Sequence, residues 1–183
     1  MTHLEIKKNR MKLMRFQFVY ALGLTSVFLL ACSVGGPLRE DISAQGYKMG
    51  PVPSHWESQR AEAFGAHKEL QFYKNSKSGA NIFVNSVCER YQESKLKDLT
   101  EQLKAPFSNV EVTFTQEKIL DGRASLWTRI RGRFDGVSVE SFFVVVRKNS
   151  CLFDFTLTSS HQISDQDYKD FENWVQGFEY RGD

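Results

Sequence analysis

Apolar and polar residues alternate along much of the chain beyond residue 68, the period of half-buried strands. Residues 69–74 (ELQFYK) and 80–88 (ANIFVNSVC) keep that alternation, and the NSKSG loop between them suits a hairpin. From Ser94 to Pro106 the period changes. Leu96, Leu99 and Leu103 recur at i, i+3 and i+7, which puts them on one helical face, with Ser94 as candidate cap and Pro106 as stop. Three hairpins follow. Val110–Leu120 turns at Asp121-Gly122 into Arg123–Arg133, that strand turns at Asp135-Gly136 into Val137–Lys148, and Asn149-Ser150 leads into Cys151–Ser159. Asp-Gly favours the two-residue turn in which both central residues take positive φ. A second helix is predicted over Ser164–Phe178, with Ser164 and Asp167 spaced as a capping box and Phe171, Trp174, Val175 and Phe178 on one face.

Two-residue turns fix registers. They set Arg131 opposite Glu140, Trp127 opposite Val144, Val144 opposite Phe155 and Val146 opposite Phe153. One sheet face then carries Trp127, Phe142, Val144, Val146, Phe153, Phe155 and Leu157, and must be buried; the Phe171/Trp174 helix is its natural cover. The other carries Leu126, Ile130, Val139, Phe143 and Val145, diluted by Thr128, Asp154 and Thr156, and calls for partial cover from the Leu96/Leu99/Leu103 helix. The pattern predicts an α+β fold, an antiparallel meander flanked by two amphipathic helices as an α/β sandwich.

The start of the chain reads differently. Lys7, Lys8, Arg10, Lys12 and Arg15 precede FQFVYALGLTSVFLL, an uncharged run of about 15 residues, the layout of an export signal. It ends Leu29-Leu30-Ala31-Cys32, which resembles the lipobox of bacterial lipoproteins, where the cysteine is acylated and becomes the mature N-terminus. The alternative is an uncleaved membrane anchor with an incidental cysteine. Ser33 and Val34 follow, without the Asp that resembles an inner-membrane retention signal, so the expectation is lipidation of Cys32 and the periplasmic face of an outer membrane. The organisation is then a signal peptide over 1–31, lipidated Cys32 with a flexible tether to residue 46, and one domain over 47–183. Gly35, Gly36 and Pro37 discourage regular structure in the tether, whose reach is on the order of 20 Å.

Composition changes the picture once. The whole chain is formally +2, but residues 1–31 hold five Lys/Arg and one Glu, leaving 19 basic and 21 acidic side chains and a charge of −2 with the signs interspersed. No basic surface for nucleic acid is visible. Fifteen Phe and three Trp supply a core for the remaining 150 or so residues.

With YKMGPVPSHW leading in, then a hairpin, one helix, a meander through LDGRAS and a closing FENWVQGF helix, residues 46–180 resemble the PsbP/Mog-type fold, which bacterial envelope lipoproteins of the DcrB kind share. The resemblance implies a small binding or assembly accessory without catalysis, and carries over no site residues.

Among residues that could carry chemistry, Cys88 and Cys151 suggest a disulfide in an oxidising envelope; the alternative is two buried thiols packing as small hydrophobes. His55, His67 and His161 fall in no metal or catalytic motif, and no G-x-S-x-G elbow occurs. Asp165, Asp167 and Asp170 read as a solvated helix start rather than a calcium loop. Arg129, Arg131 and Arg133 alternate on the Trp127 face. Pairing at the sheet rim is their simplest account, and a patch for anionic lipid or a partner's carboxylates the functional one. Asp154 either needs a partner inside an apolar layer or marks an exposed sheet edge, the reading the pattern favours. No metal or other cofactor is expected.

Two functions stay in view: a lipid-anchored, non-enzymatic accessory that binds an envelope protein partner, or a lipid-anchored binder of a small or lipidic ligand in a pocket between sheet and helix. An envelope hydrolase is a distant third. Bulky aromatics on the inner face predict a filled core, which favours the first.

Overall fold

The computed structural model describes residues 46–59, 71–88 and 93–182, all within the unit Asp41–Asp183. Cys32, the signal, nearly all of the tether and His67 lie outside the described residues. Among the described residues nine strands and two helices run in the order β1 (Tyr47–Lys48), β2 (Trp56–Ser58), β3 (Phe72–Asn75), β4 (Asn81–Cys88), α1 (Leu96–Lys104), β5 (Phe107–Leu120), β6 (Arg123–Phe134), β7 (Val137–Lys148), β8 (Cys151–Ser159), α2 (Asp165–Gln176) and β9 (Glu179–Tyr180). Seven strands form one antiparallel sheet in the order β2-β3-β4-β8-β7-β6-β5, and β1 pairs with β9.

Local turn chemistry sets the meander. Asp121 and Gly122 have φ of 47° and 73°, and Asp135 and Gly136 of 48° and 78°, the backbone that lets strand twist continue through a two-residue loop. The predicted pairs form: Arg131 with Glu140, Trp127 with Val144, Val144 with Phe155 and Val146 with Phe153. β5 begins at Phe107, three residues before its expected start, because Phe107 still pairs with Phe134. Register shifts between Ser108 and Glu111 and between Val112 and Phe114 interrupt its ladder.

The Trp127 face is the main core. Trp127, Val144, Val146, Phe153, Phe155 and Leu157 are fully buried there against Phe171, Trp174, Val175 and Phe178. Burying each aromatic contributes a few kcal/mol before entropy is subtracted. Ser164 caps α2, its Oγ accepting from the Asp167 N–H at 3.0 Å and donating to the Asp167 carboxylate at 2.7 Å. The helix stops at Gln176, two residues early, where the chain crosses itself. The Gly50 N–H donates to the Trp174 carbonyl at 2.9 Å, and a Cβ on Gly177 would sit 2.3 Å from Gly50 Cα.

The opposite face is only partly covered. Leu99 packs on Val145 and Leu152, with Leu96 and Leu103 alongside. A flanking pair of helices overstates the second layer, because α1 has nine residues and shelters one patch of a sheet whose strands reach 14. Nor does Ser94 cap α1. Lys95 holds that position and makes no side-chain cap bond. No described helix is long and apolar enough to cross a membrane.

Candidate functional site

Asp154 corrects the expectation of an exposed edge. β8 lies between β4 and β7, so Asp154 stands in mid-sheet, opposite Asn85 on one side and Val145 on the other, and is 6% exposed. Burial pushes its carboxyl up to about 6, although a hydrogen bond from the Asn85 side chain pulls the other way. Among the described residues Oδ1 has no hydrogen-bond partner, a costly condition for a group out of water.

That carboxyl faces a half-open groove of about 650 Å³ beside the C-terminal end of α1. Sheet geometry puts rings around it: Thr156, two residues along β8, pairs with Phe83 on one side and Phe143 on the other. Phe107 meets Phe143 edge-on at 5.9 Å and Phe134 at 5.5 Å, and Leu103 closes the α1 side. Asp154 is the one ionisable side chain among the described residues lining it. Sequence reasoning placed Phe143, Asp154 and Thr156 on this face and missed the groove. The dilution of apolar positions by Asp154 and Thr156 was its signal.

The three arginines do not act as one patch. Arg129 grips the buried Glu140 through Nε and Nη2 (3.2 and 3.0 Å), and Arg131 through Nε at 3.0 Å. The Ile163 N–H adds a fourth donor at 2.6 Å. Burial raises the Glu140 carboxyl, but the Arg129, Ile163 and Arg131 bonds outweigh it and hold it below the ordinary glutamate range. Arg133 instead bonds the Gly136 carbonyl at its own turn (2.7 and 3.1 Å).

Asp167 and Asp170 are not a solvated helix start. Both are 3% exposed, because the β2–β3 end of the sheet docks on α2. Asn75 and Ser78 donate to Asp167 at 2.7 and 3.0 Å. The Trp56 Nε1–H donates to Asp170 at 3.0 Å, where His55 Nε2 also sits at 2.9 Å. Asp165 stays exposed. Among the described residues no group of three His, Cys, Asp or Glu is placed to hold a metal ion.

Cys88 and Cys151 are register partners at the end of the β4–β8 ladder and form a disulfide, with Cα atoms 3.9 Å apart.

No family model matches the chain, and no curated protein matches it. Solved structures do. The solution structure of cyanobacterial PsbP (CyanoP) from Synechocystis aligns at a TM-score of 0.52 and 13% identity over 81% of this chain and 99% of that one. The fold is PsbP-like. A crystal structure from Bacteroides thetaiotaomicron gives the same TM-score at 12% identity over 74% of this chain, which spans only 45% of that protein's length. At these identities the PsbP-like likeness concerns backbone architecture alone.

Proposed function

We propose that this protein is a non-enzymatic, lipid-anchored binding protein of a bacterial envelope, held to the periplasmic face of the outer membrane by acylated Cys32, which accommodates a small apolar or lipidic ligand on the α1 face of its sheet. The groove that Asp154 faces supports this reading. Its volume falls in the range of roughly 300–1,000 Å³ in which pockets engulf small ligands, and its lining combines apolar rings with a few polar groups, the usual make-up of such sites. The Trp127 face beneath α2, by contrast, is filled by fully buried side chains, among them Trp127, Phe153, Phe155, Phe171 and Trp174.

The test is mass spectrometry of small molecules retained by the full chain extracted from membranes, compared with Thr156→Trp, which fills the groove. A ligand held by the parent and lost from the variant supports the reading. Equal retention by both, or none by either, removes it.

A second reading, docking of an envelope protein partner, draws on exposed apolar side chains around β5 and the β6–β7 turn: Val112 (46%), Phe134 (49%) and Val137 (56%). Such clusters mark contact surfaces. A stoichiometric protein partner that cross-links to Phe134 or Val137 would favour it.

A further inference from the structure

We propose that the polar head of the groove's ligand is a cationic amine received by Asp154, and that the ligand is a single-chain amphiphile; this rests on the ligand-binding reading above. Three observations carry it.

The first is charge. Asp154 is buried in mid-sheet with the Asn85 side chain as its hydrogen-bond donor and Oδ1 unpartnered among the described residues. No basic side chain among the described residues lines the groove. Arg147, opposite Leu152 on the same face, lines a separate recess with Leu96, Arg123 and Cys151. Lys104, at the end of α1, pairs with Glu101 at 2.8 Å. A ligand ammonium would supply the missing counter-charge and a donor to Oδ1 together, whereas a carboxylate or phosphate head would be repelled.

The second is the rings. Phe83 and Phe143 flank the next position of β8, and Phe107 and Phe134 continue that wall. Aromatic faces attract an ammonium within about 6 Å of a ring centroid and bury an alkyl chain equally well. The third is size. A groove of about 650 Å³ suits one chain or a compact body and is small for a two-chain lipid.

The test is photo-labelling of the full chain in its membrane with a diazirine-bearing dodecylammonium probe and its dodecanol counterpart, sites mapped by mass spectrometry, in the parent, Asp154→Asn and Thr156→Trp. Asp154→Ser repeats the comparison, so that an amide contact from Asn cannot imitate the carboxylate. The expected result is labelling of β4, β7 and β8 peptides by the amine at concentrations about tenfold lower than by the alcohol. Both Asp154 substitutions should erase that difference. The parent's preference should also fade as pH falls below 6. Equal labelling by amine and alcohol, insensitive to Asp154, overturns the amine assignment while leaving the groove as a ligand site. Labelling by neither probe above the Thr156→Trp level overturns the ligand-binding reading and this inference with it.

Discussion

Asp154 and Asn85 stand face to face across the β8–β4 ladder, and the Asn85 side chain donates to a carboxyl otherwise shut away from water. The folded chain therefore favours the protonated acid, moving its pKa from 3.8 to about 6. Stability from this group is complete below pH 3.8 and drains away as pH rises through 6. Asp154→Asn, which cannot ionise, should raise stability at pH 8 by up to about 3 kcal/mol and change it little at pH 4. Urea unfolding at the two pH values checks this; an equal effect at both would mean the carboxyl is not buried as an acid.

Glu140 should behave oppositely. Its pKa is depressed, so the stability it contributes is present above the ordinary glutamate range and lost as pH falls through the lower folded value. Glu140→Gln leaves Arg129 and Arg131 without their carboxylate and should cost on the order of 3 kcal/mol at pH 7, with a smaller deficit at pH 3. Thermal melts across that range measure it.

The Cys88–Cys151 bond closes a loop of 63 residues. Replacing both cysteines by alanine should lower unfolding free energy by roughly 4 kcal/mol. Reducing agent should destabilise the parent comparably and leave the double variant unchanged, as read by denaturant midpoints.

Gly177→Ala tests the crossing of the Met49–Pro51 segment over the end of α2. With Gly50 Cα 2.3 Å from the new methyl, the chains must part, at a cost of about 1–3 kcal/mol. Gly79→Ala, with open space around its Cβ, should cost about 1–2 kcal/mol through its positive φ alone. Amide exchange separates the two, because only the first should expose the Gly50 N–H.

Cys32→Ala should abolish incorporation of labelled palmitate and release the chain from membranes, since several acyl chains hold stably where one does not. Persistent labelling in the variant, or none in the parent, would end the lipoprotein reading.

What could be read from the sequence was what neighbouring residues decide. Asp121-Gly122 and Asp135-Gly136 dictate tight turns, and those turns dictate which side chains share a face, so the Trp127 core and the Arg131–Glu140 pairing follow from local chemistry. The pairing of β4 with β8 joins segments some 70 residues apart, and no periodicity within either strand announces it. That one association moves Asp154 from a supposed edge to the sheet centre and brings Cys88 to Cys151. Likewise Asp167 and Asp170 carry the pattern of an exposed helix start, and only the docking of Trp56 and Asn75 from distant strands buries them. The Gly50 crossing that ends α2 early is equally non-local.

β5 has a consequence for the molecule in company. It is a terminal strand of 14 residues, largely exposed and carrying Val110, Val112, Phe114 and Ile119, and a long flat strand of that kind invites copies to stitch together edge to edge. The offsets after Ser108 and Val112, with Asn109 at a φ of 52°, interrupt its first half and leave Phe114–Leu120 as the one continuous run of the described strand. Copies crowded side by side would thus have about half of this margin, rather than its full length, on which to meet.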